Sequence, residues 1–312
     1  MRVLLVHSGN AVKGDSQKYT FVKEQGEALK RHGVIIDYFS IVGKGWRGYL
    51  KNYSRLSDKV KSFCPDIIHA HYGLSGALCV LQSKIPVVIT CHNGETLSKK
   101  SNIITSIAIQ KAKYTICVAQ HIYEKLILKP KRFIIQPCGV DLSDFQIVSK
   151  EDAKIKMCLP ADKINILFGG SFSNARKNVP LAKEALRILS RNDINLIEMK
   201  GYTRSQAALL FCGCDMMLLP TKSEGSPQVL KEAMACNCPI VATDVADIAY
   251  LLHGVDNSYV TSFAPEDVAN KISKVIENNR RSDGLMRIKE LHLDNTCVAK
   301  KIMDIYNTVL NG

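Results

Sequence analysis

Short apolar runs rich in β-branched residues alternate with longer polar, helix-patterned segments, and this alternation constrains the fold more than any other feature. The first runs are Val3–Val6, Ile35–Phe39, Ile67–Ala70, Val87–Thr90, Tyr114–Val118 and Phe133–Gln136. Between them lie stretches such as Tyr19–Arg31, which stops at His32-Gly33, a glycine end signal. Strands apolar at successive positions are covered on both faces, the condition of a parallel sheet between helix layers. Gly139-Val140-Asp141 through Lys150 reads as a connector, and then the pattern restarts. Ile164–Phe168, Asn195–Met199, Met216–Leu219, Ile240–Thr243 and Tyr259–Thr261 read as strands, and Pro180–Ser190 and Pro265–Asn278 as helices. Thr296–Leu310 is amphipathic, with Val298, Ile302, Ile305 and Val309 at helical spacing.

At 312 residues there is chain for two cores of roughly 150 residues each. The expected architecture is α/β: two Rossmann-like domains facing a cleft, 1–145 and 146–295, with residues 296–312 a C-terminal helix returning to the first. No apolar run reaches the ~18 residues of a membrane-spanning helix. The opening MRVLLVHSGN lacks the long apolar core of a signal peptide. Eleven scattered cysteines then fit reduced thiols in a cytoplasmic protein. The pairs Cys212/Cys214 and Cys236/Cys238 lack the spacer of a zinc site and read as small buried residues.

One stretch combines the elements that bind anions. The run Met216–Leu219 ends in a polar loop, Thr221–Gly225, and a helix follows, with Ser226 as its expected N-cap and Pro227 as its first residue. Asn237 and Pro239 stop it. A strand, a glycine-containing loop and a helix N-terminus in this order place backbone N–H groups at an anionic ligand. Glu224 and Glu232 bracket the site.

This stretch resembles the donor-binding signature of retaining glycosyltransferases of family four, which have the GT-B fold. The residues are Ser223-Glu224-Gly225-Ser226-Pro227, Glu232-Ala233-Met234-Ala235 and Pro239-Ile240-Val241-Ala242-Thr243. Pro65-Asp66-Ile67-Ile68-His69-Ala70-His71 is similar to a first-domain strand of that family, and Gln136-Pro137-Cys138-Gly139-Val140-Asp141 to its crossing into the second domain. Ile166-Leu167-Phe168-Gly169-Gly170 followed by Arg176-Lys177-Asn178 resembles its phosphate-binding loop. The ordered set covers most of the chain.

The resemblance implies roles residue by residue. Arg176 and Lys177 would neutralise the diphosphate of a nucleotide-sugar as the glycosidic bond breaks. Glu224 would face the donor sugar and Glu232 would accept from the ribose hydroxyls. Gly170, Ser171, Gly225, Ser226 and Pro227 would line the diphosphate, with Gly9 in a loop over it, and Gly201 and Tyr202 would lie near the base. His92 would reach the donor sugar from the first domain, with His69 and His71 behind it or toward the acceptor. Ser171 stands where many relatives carry a second phosphate-binding arginine. No Asp-x-Asp motif occurs, so no metal and no other cofactor is expected.

Net charge is uneven. Residues 1–145 carry 21 Lys+Arg and 10 Asp+Glu, and residues 146–312 carry 21 and 19. The basic half implies an anionic partner. Trp46, Tyr49 and Tyr53, with Arg47 and Lys51 among them, would form one aromatic, cationic helix face suited to an anionic membrane surface; packing on the domain itself explains the same spacing. The aromatics make no stacking platform for nucleic acid. The reading is therefore a cytoplasmic hexosyltransferase, peripheral on the inner membrane face. It would move a sugar from a UDP- or GDP-sugar to a saccharide or lipid-linked acceptor in cell-surface polysaccharide synthesis. The alternatives are a nucleotide-sugar epimerase of the same fold and a non-catalytic nucleotide-sugar or glycan-binding protein.

Overall fold

The computed structural model describes residues 1–8, 20–43, 45–82 and 84–312, without the side chains of Thr20 and Trp46. They form two compact units, Met1–Gly139 with Asn295–Gly312, and Val140–Asp294. Each is built on a wholly parallel sheet.

The first sheet contains β1 (Arg2–Ser8), β2 (Ile35–Ile41), β3 (Ile67–His71), β4 (Val87–Cys91), β5 (Tyr114–Cys117) and β6 (Phe133–Ile135), in the order β2-β1-β3-β4-β5-β6. All five residues of β3 and of β4 are buried, which is why neither shows the polar alternation of a half-exposed strand. The last helix, Asn295–Asn311, closes one face: Val298, Ile302, Ile305, Tyr306 and Val309 pack with Val3, Leu5 and Ile67. On the other face, Leu4, Val6, Ile68 and Ile89 meet Leu78, Ala108 and Ile109.

The second sheet contains β7 (Ile164–Phe168), β8 (Ile194–Glu198), β9 (Met216–Leu219), β10 (Ile240–Thr243) and β11 (Tyr259–Thr261), in the order β11-β10-β9-β7-β8. Its two faces carry separate cores, one around Leu167, Met217 and Ile240, the other around Ile166, Phe168 and Val241. The chain crosses at Gly139, ahead of the expected 145, because Val140 and Phe145 are anchored in the first of these cores. Cys212, Cys214, Cys236 and Cys238 are buried there as free thiols.

Two local expectations change. The helix after β9 spans Gln228–Ala235, with Pro227 rather than Ser226 as its N-cap. Pro227 has an extended backbone, and the Ser226 hydroxyl is occupied, accepting from the buried Lys231 ammonium at 3.3 Å. Second, Trp46 to Tyr53 is not one helix. A helix Gly45–Leu50 ends at a turn, and a new one starts at Tyr53. Asn52 makes the break: buried, it donates to the carbonyls of Val42 and Gly48. Tyr49 is half-buried against the core, so Tyr49 and Tyr53 do not share a helical face with Arg47 and Lys51.

Candidate active site

In an open parallel sheet, ligands bind beyond the C-terminal strand ends where the strand order reverses. In the second unit that point lies between β7 and β9. Both loops issuing from it carry residues singled out in the sequence. After β7 come Gly169, Gly170 and a short 3-10 helix, Ala175–Lys177, capped by the Asn174 side chain. After β9 comes Pro220–Pro227.

The two loops are tied together. The Lys222 N–H donates to the Arg176 carbonyl at 2.9 Å. Lys177 Nζ donates to Glu224 Oε1 at 2.7 Å, and Thr221 Oγ1 lies 3.0 Å from the same oxygen. Thr243 Oγ1, at the end of β10, donates to the Thr221 carbonyl at 2.6 Å. The Lys177–Glu224 pair is largely withdrawn from solvent, with side-chain exposures of 12% and 9%. Gly170 has a defined purpose in this arrangement. A Cβ there would stand 2.8 Å from Lys177 Cγ and Cε, so the lysine stem lies along backbone that only glycine leaves bare. Arg176 is exposed.

Ser171 does not take the place of a phosphate-binding cation. Its hydroxyl donates to Glu198 Oε1 at 2.7 Å, and the Phe172 N–H donates to the same oxygen. These bonds hold the Glu198 carboxyl below its ordinary range. Glu232 is buried on the helix Gln228–Ala235 and receives Arg204 Nη1 at 2.8 Å. Burial raises its carboxyl above the ordinary value, against the opposing pull of Arg204. Arg204 is itself placed by the Phe145 ring, 4.6 Å from its guanidinium carbon, and by a capping box of Thr203 and Gln206 that opens its helix. Gly201 (φ 80°) makes the turn before that helix, and Tyr202 packs on the core beside it. Thus Lys177 and Glu224 meet directly, Arg176 and Ser226 are on the same loops, and Glu232 stands with Arg204. Gly225 lies in the loop between Glu224 and Ser226. Sequence reasoning missed Arg204, whose only signal was the Thr-x-x-Gln capping pattern.

In the first unit the reversal lies between β1 and β3. The loop after β1, including Gly9, Asn10, Gly14 and Asp15, lies outside the described residues. His71 ends β3, and His92 follows β4. His71 Nδ1 and His92 Nε2 are 3.0 Å apart, and His69 stacks behind His71 with ring centroids 4.7 Å apart. Phe21 and Tyr72 flank His92, each 4.8 Å away. The residues just after the two histidines are in the left-handed region, Tyr72 at φ 73° and Asn93 at φ 96°. Such conformations persist only where surrounding bonds over-determine them.

Those bonds come from Glu95. Its buried carboxylate accepts from the Gly73 N–H at 2.9 Å and the His92 N–H at 3.0 Å, and also from the backbone of Asn93 and its own N–H. Burial raises its pKa despite these donors. One carboxylate therefore binds the β3 and β4 loops into a single frame for His92. A cavity of about 250 Å³ opens beside it, lined by Tyr49, Tyr72, Leu74, Gly94 and Ser101 among others. Glu95→Ala should lower the stability of the chain by about 3 kcal/mol, since several buried N–H groups lose their acceptor at once. Urea unfolding checks this; a change below about 1 kcal/mol would mean that the loops hold themselves.

Among the described residues no group of three or more His, Cys, Asp and Glu could hold a metal ion, and no helix is long and apolar enough to cross a membrane.

Two family models match the chain. "Glycosyltransferase Family 4" matches residues 16–144 and "Glycosyl transferases group 1" matches residues 176–278. The chain is 24% identical to the putative teichuronic acid biosynthesis glycosyltransferase TuaC of Bacillus subtilis over 80% of its length and 72% of that protein. It is 26% identical to an uncharacterized glycosyltransferase of Methanocaldococcus jannaschii, over 88% and 85%. Among solved structures, sucrose-phosphate synthase from Thermosynechococcus elongatus superposes with a TM-score of 0.84 at 16% identity, covering 100% of this chain and 99% of that one. Anabaena HepE in complex with UDP-glucose superposes with a TM-score of 0.76 at 15% identity, over 99% and 100%.

Proposed function

The chain belongs to the group 1 and family four glycosyltransferases, with the GT-B fold, and from that premise we propose that it is a retaining, metal-independent hexosyltransferase. Its donor is a UDP- or GDP-sugar and its acceptor a saccharide, in the synthesis of a cell-surface polysaccharide. The observation that carries this reading is the pair of adjacent cations on the 3-10 helix Ala175–Lys177, at the strand-order reversal. Lys177 is locked to Glu224 at 2.7 Å and Arg176 is left facing solvent. That HepE binds UDP-glucose and that TuaC is named for a polysaccharide support the donor class and the context.

In this reading the departing diphosphate gathers negative charge, and Arg176 and Lys177 are where that charge develops. Their attraction grows toward the transition state, so it speeds reaction more than it tightens binding. Glu224 fixes the lysine and faces the sugar. Glu232 accepts from the ribose hydroxyls, and Arg204 opposes the effect of its burial. Ser171 contributes no charge of its own. His92, framed by Glu95, serves the donor sugar as a hydrogen-bond donor. This reading uses no carboxylate nucleophile. The acceptor hydroxyl attacks the face that the diphosphate leaves, and a phosphate oxygen takes its proton.

Thermal denaturation with a panel of nucleotide-sugars, UDP and GDP tests the donor. One nucleotide series should raise the midpoint by about 2–4 °C at saturation, and its sugar should be slowly hydrolysed without acceptor, unaffected by a chelator. The anomeric configuration of the transfer product, read by NMR, should match the donor. No stabilisation by any nucleotide would overturn the reading, and loss of hydrolysis on chelation would remove its metal independence.

A further inference from the structure

Much of the basic surplus of the first unit lies in one segment. Residues 96–132 contain eight lysines and arginines against a single acidic residue, Glu124. This segment includes the helix Lys99–Lys111, KKSNIITSIAIQK, which is apolar on two sides. Its inner side buries Thr105, Ala108 and Ile109. Its outer side leaves Ile103 and Ile107 exposed, at 42% and 53%. These stand one turn apart, and Lys99 and Lys111 continue the same i, i+4 line at either end.

The neighbouring segment widens the patch. Asn102 Nδ2 donates to the Lys125 carbonyl, the Ile127 N–H donates to Asn102 Oδ1, and the Leu128 N–H donates to Ser106 Oγ. Gln110 Nε2 donates to the Lys129 carbonyl. A polar seam of Asn102, Ser106 and Gln110 thus fixes residues 125–129 along the helix, next to the Ile103–Ile107 stripe. Ile127 and Leu128 are exposed there, and Leu97 is exposed just ahead of the helix. Five large apolar side chains share this face, fringed by the exposed Lys99, Lys100, Lys111 and Lys125.

We propose that this face, the Ile103–Ile107 side of the helix Lys99–Lys111 with Ile127, Leu128 and Leu97, docks on an anionic bilayer surface. The chemistry fits one occupant. An apolar stripe at the acyl boundary inside a ring of ammonium groups satisfies both layers of such an interface, and long lysine side chains reach headgroup phosphates while their stems stay on the apolar face. Placing the transferase on a bilayer suits an acceptor carried on a lipid. The docking itself does not rest on the transferase reading, because it is read without donor or acceptor.

The test is co-sedimentation of the full chain with phosphatidylcholine vesicles, alone or with about 30 mol% phosphatidylglycerol. Binding is expected to the anionic vesicles only, and raised salt should weaken it. Ile103→Asp with Ile107→Asp should lower the bound fraction roughly tenfold. Ile155→Asp, at an exposed apolar residue of the second unit, should leave it unchanged. All these positions are exposed, and an unchanged melting temperature confirms folding of the variants. The proposal is overturned if the anionic vesicles are not bound, or if the double variant binds like the parent. It is equally overturned if the chain dimerises without lipid and the double variant is monomeric, since a second copy would then be the occupant.

Discussion

Replacing Lys177 by alanine should lower kcat for transfer, and for donor hydrolysis, by about 10²–10³-fold, the range for removing one preorganised group from developing charge. The same change should destabilise the chain by about 3 kcal/mol, because the largely buried Glu224 carboxylate loses its ammonium. These two losses have different origins, and a second variant separates them. Lys177→Ala with Glu224→Gln removes the orphaned charge, so it should regain most of the stability and none of the activity. If activity returned with stability, Lys177 would be a brace for the loop and nothing more. Gly170→Ala provides a milder probe. Its Cβ would displace the Lys177 stem from 2.8 Å contacts without removing the ammonium, so a loss of about tenfold in kcat is expected. Arg176→Ala touches no ion pair. It should lower kcat while leaving the melting temperature unchanged.

The residues that make this test possible were legible because their types are unusual in order. Adjacent cations after one strand, a carboxylate after another and a second carboxylate on the following helix are rarely neutral choices. The strands were legible for a related reason: those of a sheet covered on both faces cannot alternate, so β3, β4, β7 and β9 announce themselves as runs. What stayed hidden were residues whose environment reverses their usual meaning. Glu95 follows His-Asn-Gly and reads as a solvated loop carboxylate, yet it is buried and holds four backbone N–H groups. Lys231 reads as a surface residue of its helix, yet it is fully buried. Burial also raises the carboxyl of Asp247, against the attraction of that ammonium. Asn52 reads as one more polar position in a helical stretch, and only its bonds to Val42 and Gly48 show that the helix breaks there. The helix Lys99–Lys111 gave no amphipathic pattern because it is apolar toward the core and toward the outside.

Acid should unfold the first unit well before carboxylate protonation would explain it. His69 and His71 are fully buried, and burial holds His69 down to about 3 and His71 well below its ordinary 6.5. His69 sits between hydroxyls, Tyr306 Oη at 2.6 Å and Thr90 Oγ1 at 2.7 Å, with no carboxylate to receive a second proton. His71 is stacked between His69 and His92, at 4.7 and 5.3 Å, so a charge on it would face other imidazoles. A histidine with a depressed native pKa binds fewer protons folded than unfolded. Stability is therefore full above about 6.5 and falls as pH drops through the window from 6.5 toward 3. His69 costs about 1.4 kcal/mol per pH unit in that window, and His71 acts in the same direction. At pH 4.5 His69 alone removes about 3 kcal/mol, and His71 adds a loss of the same sign, together a large fraction of the stability of many domains. Glu95 works in the opposite sense: its raised native pKa means that it gains stability from protonation, but only below that pKa. Trp46 is the single tryptophan and belongs to the first unit, so its fluorescence follows that unit in urea titrations at pH 7, 5.5 and 4.5. His71→Asn, uncharged throughout, should flatten the slope. A midpoint that does not move between pH 7 and 4.5 would mean that the histidines remain hydrated and that their burial costs nothing.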